Sequence, residues 1–313
     1  MYHSILFESV LDVANFYKAY SLNIPIEIVK TLAKMKSVLE FFTMKDGQIV
    51  LFNDSSFNIA KPTKMLVEYF NNIFGDDRTQ NNNSICDGIF KFKNEKTEFY
   101  LDLDKIGPDE LPGHAHADNL NFELAINGIR VITDRGISTY DDCIDRAYER
   151  SSMAHNVLTI DNQNQSDVWS SFRVGRRAIS QHKIVKNDTN IEISATHDGY
   201  KKLAYKVERK FILNDNVIFI SDDVQLKQPF KVVSYLHFSP HVEIKLENKN
   251  CIVFDHVNNK LCELIFDKQS QVEVFDTYTS FSYNKKSQSK SLKVTLPQLL
   301  NTTSLITIKL TES

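Results

Sequence analysis

From residue 86 to its end the chain runs in short stretches where apolar and polar residues alternate, a pattern with the period of a strand and not of a helix. FKFKNEKTEFYLDL reads as a hairpin. NFELAINGIRVITD reads as a second one, because Asn127-Gly128 between two apolar runs suits a tight two-residue turn. YKVERKFILNDNVIFISDD, VVSYLHF, HVEIKLE, CIVFDH, CELIFD, VEVF, LKVTL and SLITIKL continue the pattern. Many short strands punctuated by turn residues pack best as a large antiparallel β-sandwich. The 21 Phe and 12 Tyr suit pleated surfaces, and 42% hydrophobic residues are enough for a sizeable core in a chain of 313.

Residues 1–75 follow a different period. Ile5, Leu6, Val10, Val13, Ala14 and Tyr17 recur at helical spacing. A second helix is expected over 25–43 and a third over 61–75, with Pro62 near the first turn and Gly75 as the stop. DDRTQNNNS, residues 76–84, reads as a polar linker. The expected organisation is therefore mainly β, with a helical segment at 1–75 and a sandwich over 86–313.

Formal net charge is −3, so no molecule-wide positive field draws in polyanions, and a nucleic-acid partner is not expected. An acidic ligand would need a local basic patch. Arg173, Arg176 and Arg177 form one candidate, with Arg173 and Arg177 as the favoured substrate contacts; Lys201, Lys202, Lys206, Arg209 and Lys210 form another. Either cluster can equally be a solvated strand face. Cys86, Cys143, Cys251 and Cys262 contain no CxxC pair; Cys251 and Cys262 can face each other across a hairpin or remain free buried thiols. No apolar run is long enough to span a membrane, and residues 1–20 lack the features of a signal peptide.

The chemistry concentrates between Gly113 and His155. In an extended GHAHADN, His114 and His116 would share a face, and the turn at Asn127-Gly128 would fold Asp134 back towards them. His155 follows in SSMAHNVLTID. Two imidazoles and a carboxylate suit zinc. Asp118 competes as a ligand, since His116 and Asp118 also alternate, and spacing leaves the choice open.

GHAHADNLNFELAINGIRVITDRG, followed by YERSSMAHNVLTIDNQNQSDVWSSFRVGRRA, resembles the signature region of the heparinase II/III-like polysaccharide lyases. MYHSILFESVLDVANFYKAY and DGQIVLFNDSS resemble the end of the helical toroid that precedes the β domain in that family. The resemblance implies a structural zinc on His116, Asp134 and His155. It implies a catalytic histidine at His114 and a catalytic tyrosine at Tyr2, with His3 beside it as a substrate contact. A second tyrosine falls on Tyr140, with Tyr148 as competitor. The implied reaction is β-elimination on an acidic, uronate-containing polysaccharide. A base removes the C5 proton, an acid protonates the departing O4, and a lowered tyrosine pKa would come from His3 or an arginine. Arg135 stands where the family has a small residue and is expected to place a positive charge beside the cleft.

Family members carry several hundred toroid residues ahead of the position matching Tyr2, including the group that neutralises the substrate carboxylate. The expectation is a truncated product, a fragment, or half of a split protein, with a homo-oligomer or a partner supplying the toroid. The resemblance further implies a periplasmic or cell-envelope setting. Two other readings stand beside it: a non-catalytic glycan-binding module that keeps a structural zinc, and a cupin-like metal enzyme using His114, His116 and Asp118.

Overall fold

A computed structural model describes residues 1–76 and 84–311; most of the expected linker, residues 77–83, lies outside them. Three helices open the chain: α1 (Tyr2–Ala19), α2 (Ile26–Phe41) and α3 (Thr63–Phe74). Pro25 and Pro62 each sit just ahead of a first helical turn, where their missing N–H costs nothing, and Gly75 ends α3 with φ 92°. The helices meet on Phe7, Leu11, Leu32, Leu39, Leu66 and Phe70, an apolar core of their own. Between the second and third helices, residues 42–62 form an irregular stretch pinned by a Thr43–Ile49 bridge. That stretch supplies the most connected residue of the candidate site.

The strands form two layers. One is an eight-stranded antiparallel sheet that includes Ile191–His197, Ala204–Leu213, Val217–Leu226, Lys260–Phe266 and Asn301–Leu310. The other comprises a five-stranded sheet, which includes Thr97–Asp102, Phe122–Ile126 and Ile129–Ile132, and a four-stranded sheet built around Val232–His237 and Lys285–Thr295. An Ile132–Phe238 bridge ties these two sheets together. Alternation decides what lies between the layers: Phe90, Phe99, Phe122 and Val131 from one side meet Phe211, Ile220, Leu264 and Ile308 from the other. The expected turn is present, with Asn127 at φ 52° and Gly128 at φ 79° joining paired strands.

Ser180–Lys186 and Ile191–His197 are paired strands beyond those expected from the sequence; the first is the largely exposed outer strand of its sheet, so its side chains carry little apolar signal. Cys251 lies opposite Leu264 and Cys262 opposite Val253, and both remain free buried thiols raised in pKa by burial. GHAHADN is not a strand: Pro112–His114 form one 3-10 turn and the backbone beyond is irregular, with Leu120 at φ 67°. A branched apolar residue in that region stores backbone strain, on the order of 1 kcal/mol.

Candidate functional site

Asp54 organises the site. It is buried in the irregular stretch after α2, and its backbone N–H donates to the His114 carbonyl at 3.3 Å. Its Oδ2 accepts from His114 Nδ1 at 2.9 Å and from Arg146 Nη2 at 2.7 Å. Its Oδ1 accepts from His116 Nε2 at 2.8 Å and from Arg146 Nη1. Each oxygen thus serves one imidazole and one guanidinium nitrogen. Burial alone would raise this carboxyl, but the hydrogen bonds from the two histidines and the arginine hold it well below the usual carboxylate range. Arg146 belongs to α4 (Ile144–Glu149) and is fully buried; Nε and Nη2 also donate to the Ser171 carbonyl at 3.0 and 2.8 Å.

With Nδ1 anchored, His114 presents its other face to Tyr2, whose ring centroid lies 4.6 Å away. The Tyr2 hydroxyl lies 2.7 Å from that of Tyr140. Phe172 closes on both, at 5.5 Å from His114 and 5.3 Å from Tyr140. The start of α1, the 112–114 turn, the loop before α4 and the 172–173 segment therefore converge. Tyr140 is pushed above the ordinary tyrosine value, first by burial, then by the bond to Tyr2 and the Asp54 charge, although Arg146 lies 5.1 Å over its ring. It keeps its proton at neutral pH. Tyr148 sits apart, packed against Tyr278 and the Arg135 guanidinium.

His3 and the arginines take other positions. The His3 Nε2–H donates to the Met35 carbonyl at 2.8 Å, and burial lowers its pKa, so His3 is not a resident positive charge beside Tyr2. Arg135 is fully buried, donating to the Tyr278 carbonyl and the Thr277 hydroxyl, with its pKa lowered by burial; it does not line a cleft. Arg177 is held by Asp109 at 2.5 Å and by the carbonyls of Ile106, Gly107 and Pro108, whereas Arg173 is exposed, beyond Phe172. Arg209, grouped with the surface lysines in the sequence, is buried on Asp222.

Beneath His114 lies a second, drier cluster. His155 Nδ1 is 2.8 Å from Asp134 Oδ2, and the two imidazoles of His116 and His155 are 5.2 Å apart. Asp134 also accepts from Asn121 Nδ2 at 2.5 Å and from the Gly136 N–H at 3.2 Å. Ligand atoms of Asp118, Asp134 and His155 lie within 4.8 Å of one another, all buried. His116 Nδ1, Asp118 Oδ2 and His155 Nε2 have no hydrogen-bond partner despite full burial. Orphaned buried polar atoms are costly and rare, and here three occur together. Burial pushes the Asp118 and Asp102 carboxyls up, with repulsion between neighbouring acids adding to the effect. A bound cation offsets both costs, so the donor set fits a metal. His116 has the form of a metal ligand whose second nitrogen is oriented by a carboxylate, with Asp54 as that carboxylate. His114 is turned to Tyr2 and to Asp54 Oδ2, and among the described residues the cupin-like set of His114, His116 and Asp118 does not gather into a ligand group.

Asp54 and Arg146 escaped the sequence reading. The one available signal is the DGQIVLFNDSS segment, whose two acids divide between Arg130, which takes Asp46, and the candidate site, which takes Asp54.

A cavity of about 530 Å³ touches His3 and Asn53, but its lining carries Asp87, Asp102, Asp104, Asp109 and Glu110 against Lys105, a poor setting for a polyanion. No helix among the described residues is long and apolar enough to cross a membrane.

Comparison with known proteins agrees with this fold. Heparan sulfate lyase HepC from Pedobacter heparinus superposes with a TM-score of 0.77 at 16% identity, covering 100% of this chain and 52% of its own. A heparinase III gene product gives 0.80 at 15% identity, with the same coverage, and a further heparinase III gives 0.79 at 17% identity, covering 53% of its own chain. At such identities the likeness is one of fold, and this chain spans about half the length of those proteins. No curated protein matches the sequence. The family model described as "Heparinase II/III-like, C-terminal" matches residues 87–309, and the chain belongs to that family.

Proposed function

We propose that this chain carries the β-side catalytic wall of a polysaccharide lyase that cleaves a uronate-containing polymer by β-elimination. The observation behind this reading is the meeting of His114, Tyr2 and Tyr140, three proton-transferring side chains brought together from distant segments, with the imidazole locked by a buried carboxylate. Asp54 fixes Nδ1 of His114 as the protonated nitrogen, which leaves Nε2 as the basic atom; the side chain is 42% exposed and open to substrate. His114 takes the C5 proton. Tyr140, held protonated by burial and its bond to Tyr2, delivers a proton to the departing O4, and Tyr2 relays between them.

His116, Asp134 and His155 would hold zinc, with Asp118 as a further donor. Bound there, the ion supplies fixed positive charge that ties the 116–118, 134 and 155 segments together, while the proton transfers stay with His114 and the tyrosines. The neutralising group for the substrate carboxylate is expected from helical structure equivalent to the other half of the relatives' length, in the same polypeptide or from a partner.

The test is elimination itself: incubation with uronate polymers and detection of the unsaturated product by its ultraviolet absorbance. Product formation that falls at least about 100-fold in His114→Ala supports the assignment. Polymer binding without product in the wild type, even with added helical partner, would place the chain among non-catalytic glycan-binding modules.

A further inference from the structure

Away from the catalytic cluster, the outer surface near Tyr205 carries a cleft of about 410 Å³, within the range of small-ligand sites. Lys201, Lys206, Thr196 and Gln181 line it, and a smaller hollow shares Lys201 with it and reaches Lys202 and Arg176. Lys201 and Arg176 are ion-paired with Asp198 and Asp167, and Lys206 with Glu208 and Asp223, whereas no ion pair among the described residues engages Lys202 or Lys227. Cations still outnumber acids on these walls, which distinguishes this cleft from the acidic cavity beside His3.

Tyr205 is the feature that solvated strands do not explain. The pairing register slips between Ala204 and Lys206, so Tyr205 lies at a β-bulge, a device that re-aims a side chain. Its ring is 78% exposed, with the Lys227 ammonium 5.4 Å from its centroid. An aromatic ring held out of a sheet beside several lysines offers a stacking face for a sugar ring and cations for its acidic substituents. The short hairpin Val168–Trp169 and Arg173–Val174 links this region to the catalytic cluster. Asp167 and Arg176 flank one end, and Phe172 touches His114 at the other. Trp169 is 53% exposed between them.

We propose that the Tyr205–Lys201–Lys206 cleft is a second, non-catalytic binding site for an anionic oligosaccharide, holding a stretch of polymer remote from the bond that is cut. The ligand class rests on the acidic-polysaccharide reading above; the site itself rests on the bulge, the exposed ring and the lysines.

Isothermal titration with a heparin-derived octasaccharide tests this on the full chain, alongside Tyr205→Ala and a Lys201→Gln/Lys202→Gln variant. Both changes are on exposed side chains. Affinity falls about tenfold in each, weakens further with salt, and a neutral oligosaccharide does not bind. His114→Ala keeps the affinity of the wild type, which separates this site from the catalytic one. Octasaccharide affinity unchanged in both cleft variants overturns the proposal, as does tighter binding of single-stranded DNA than of the octasaccharide. Loss of elimination activity with cleft binding intact would instead count against the lyase reading alone.

Discussion

Asp54→Asn is the most informative single change. Each Asp54 oxygen accepts one imidazole and one guanidinium hydrogen bond, and an amide has one oxygen and one NH2 group. Whichever way the asparagine lies, its NH2 meets a donor from one histidine and one from Arg146. The Arg146 charge, fully buried, loses its counter-ion. Removing one partner of a buried pair typically costs about 3–5 kcal/mol, a large share of the 5–15 kcal/mol that holds an ordinary domain folded. For a chain of this size that is a fall in Tm of roughly 6–10 °C, at about 2 °C per kcal/mol. Urea unfolding followed through Trp169, the single tryptophan, gives the free energy directly. A double variant, Asp54→Asn/Arg146→Met, removes the stranded charge and is expected to regain most of the lost stability, because the penalty comes from the unpaired guanidinium. It does not regain elimination activity, because His114 stays unanchored. A single Asp54→Asn variant within about 0.5 kcal/mol of wild type, or an active double variant, would refute the view that this carboxylate organises the site.

Three further outcomes follow from the same structure. His155→Ala and Asp134→Asn each lower zinc content, measured by elemental analysis, and lower Tm in parallel; full zinc content in both removes the assignment. Burial and then the Arg209 charge push His197 down to about 4 from its ordinary 6.5. Between those values the unfolded chain binds a proton that the folded chain refuses, so stability is fully present above pH 6.5 and falls by up to about 3 kcal/mol towards pH 4. Urea titrations of His197→Gln should show a flatter slope in that window, and an unchanged slope would sink the assignment. Gly136, at φ 65°, has the Ser280 carbonyl oxygen 2.3 Å from where a Cβ would stand. Gly136→Ala is therefore expected to cost at least about 2 kcal/mol and to loosen the loop after Asp134, read as a lower urea midpoint.

The β architecture was legible because burial and strand period coincide along most of the chain. Ala204–Leu213 and Val217–Leu226 each bury alternate residues, so their sequences state which face is inside. Asn127-Gly128 marked its turn for a conformational reason that needs no tertiary information. Ser180–Lys186 failed the same test: its side chains stay mostly in water, and nothing in its composition separates it from a loop. The helices were legible for their starts and stops, but the stretch between the second and third carries no period at all, and Asp54 lies there, in residues 42–62 where no regular element forms.

The site was legible in its residues and not in its geometry. Alternation would put His114 and His116 on one face of a strand, yet no strand forms there; a 3-10 turn and an irregular path bring both rings to one carboxylate. Strand geometry fixes side-chain direction locally, whereas here direction is imposed by a residue 60 positions away in sequence, itself locked by an arginine 92 positions further on. Local pattern carries no information about such a partner. The irregularity has its own physical logic. A regular strand would send alternate side chains to opposite faces at a fixed rise, giving two histidines the same surroundings. The broken backbone lets the two rings share Asp54 while facing different environments, His114 towards Tyr2 and open space, His116 into a dry cluster of acids. One histidine is thereby suited to moving protons and the other to holding a cation, and the single carboxylate between them couples the packing of the buried acidic cluster to the aim of His114.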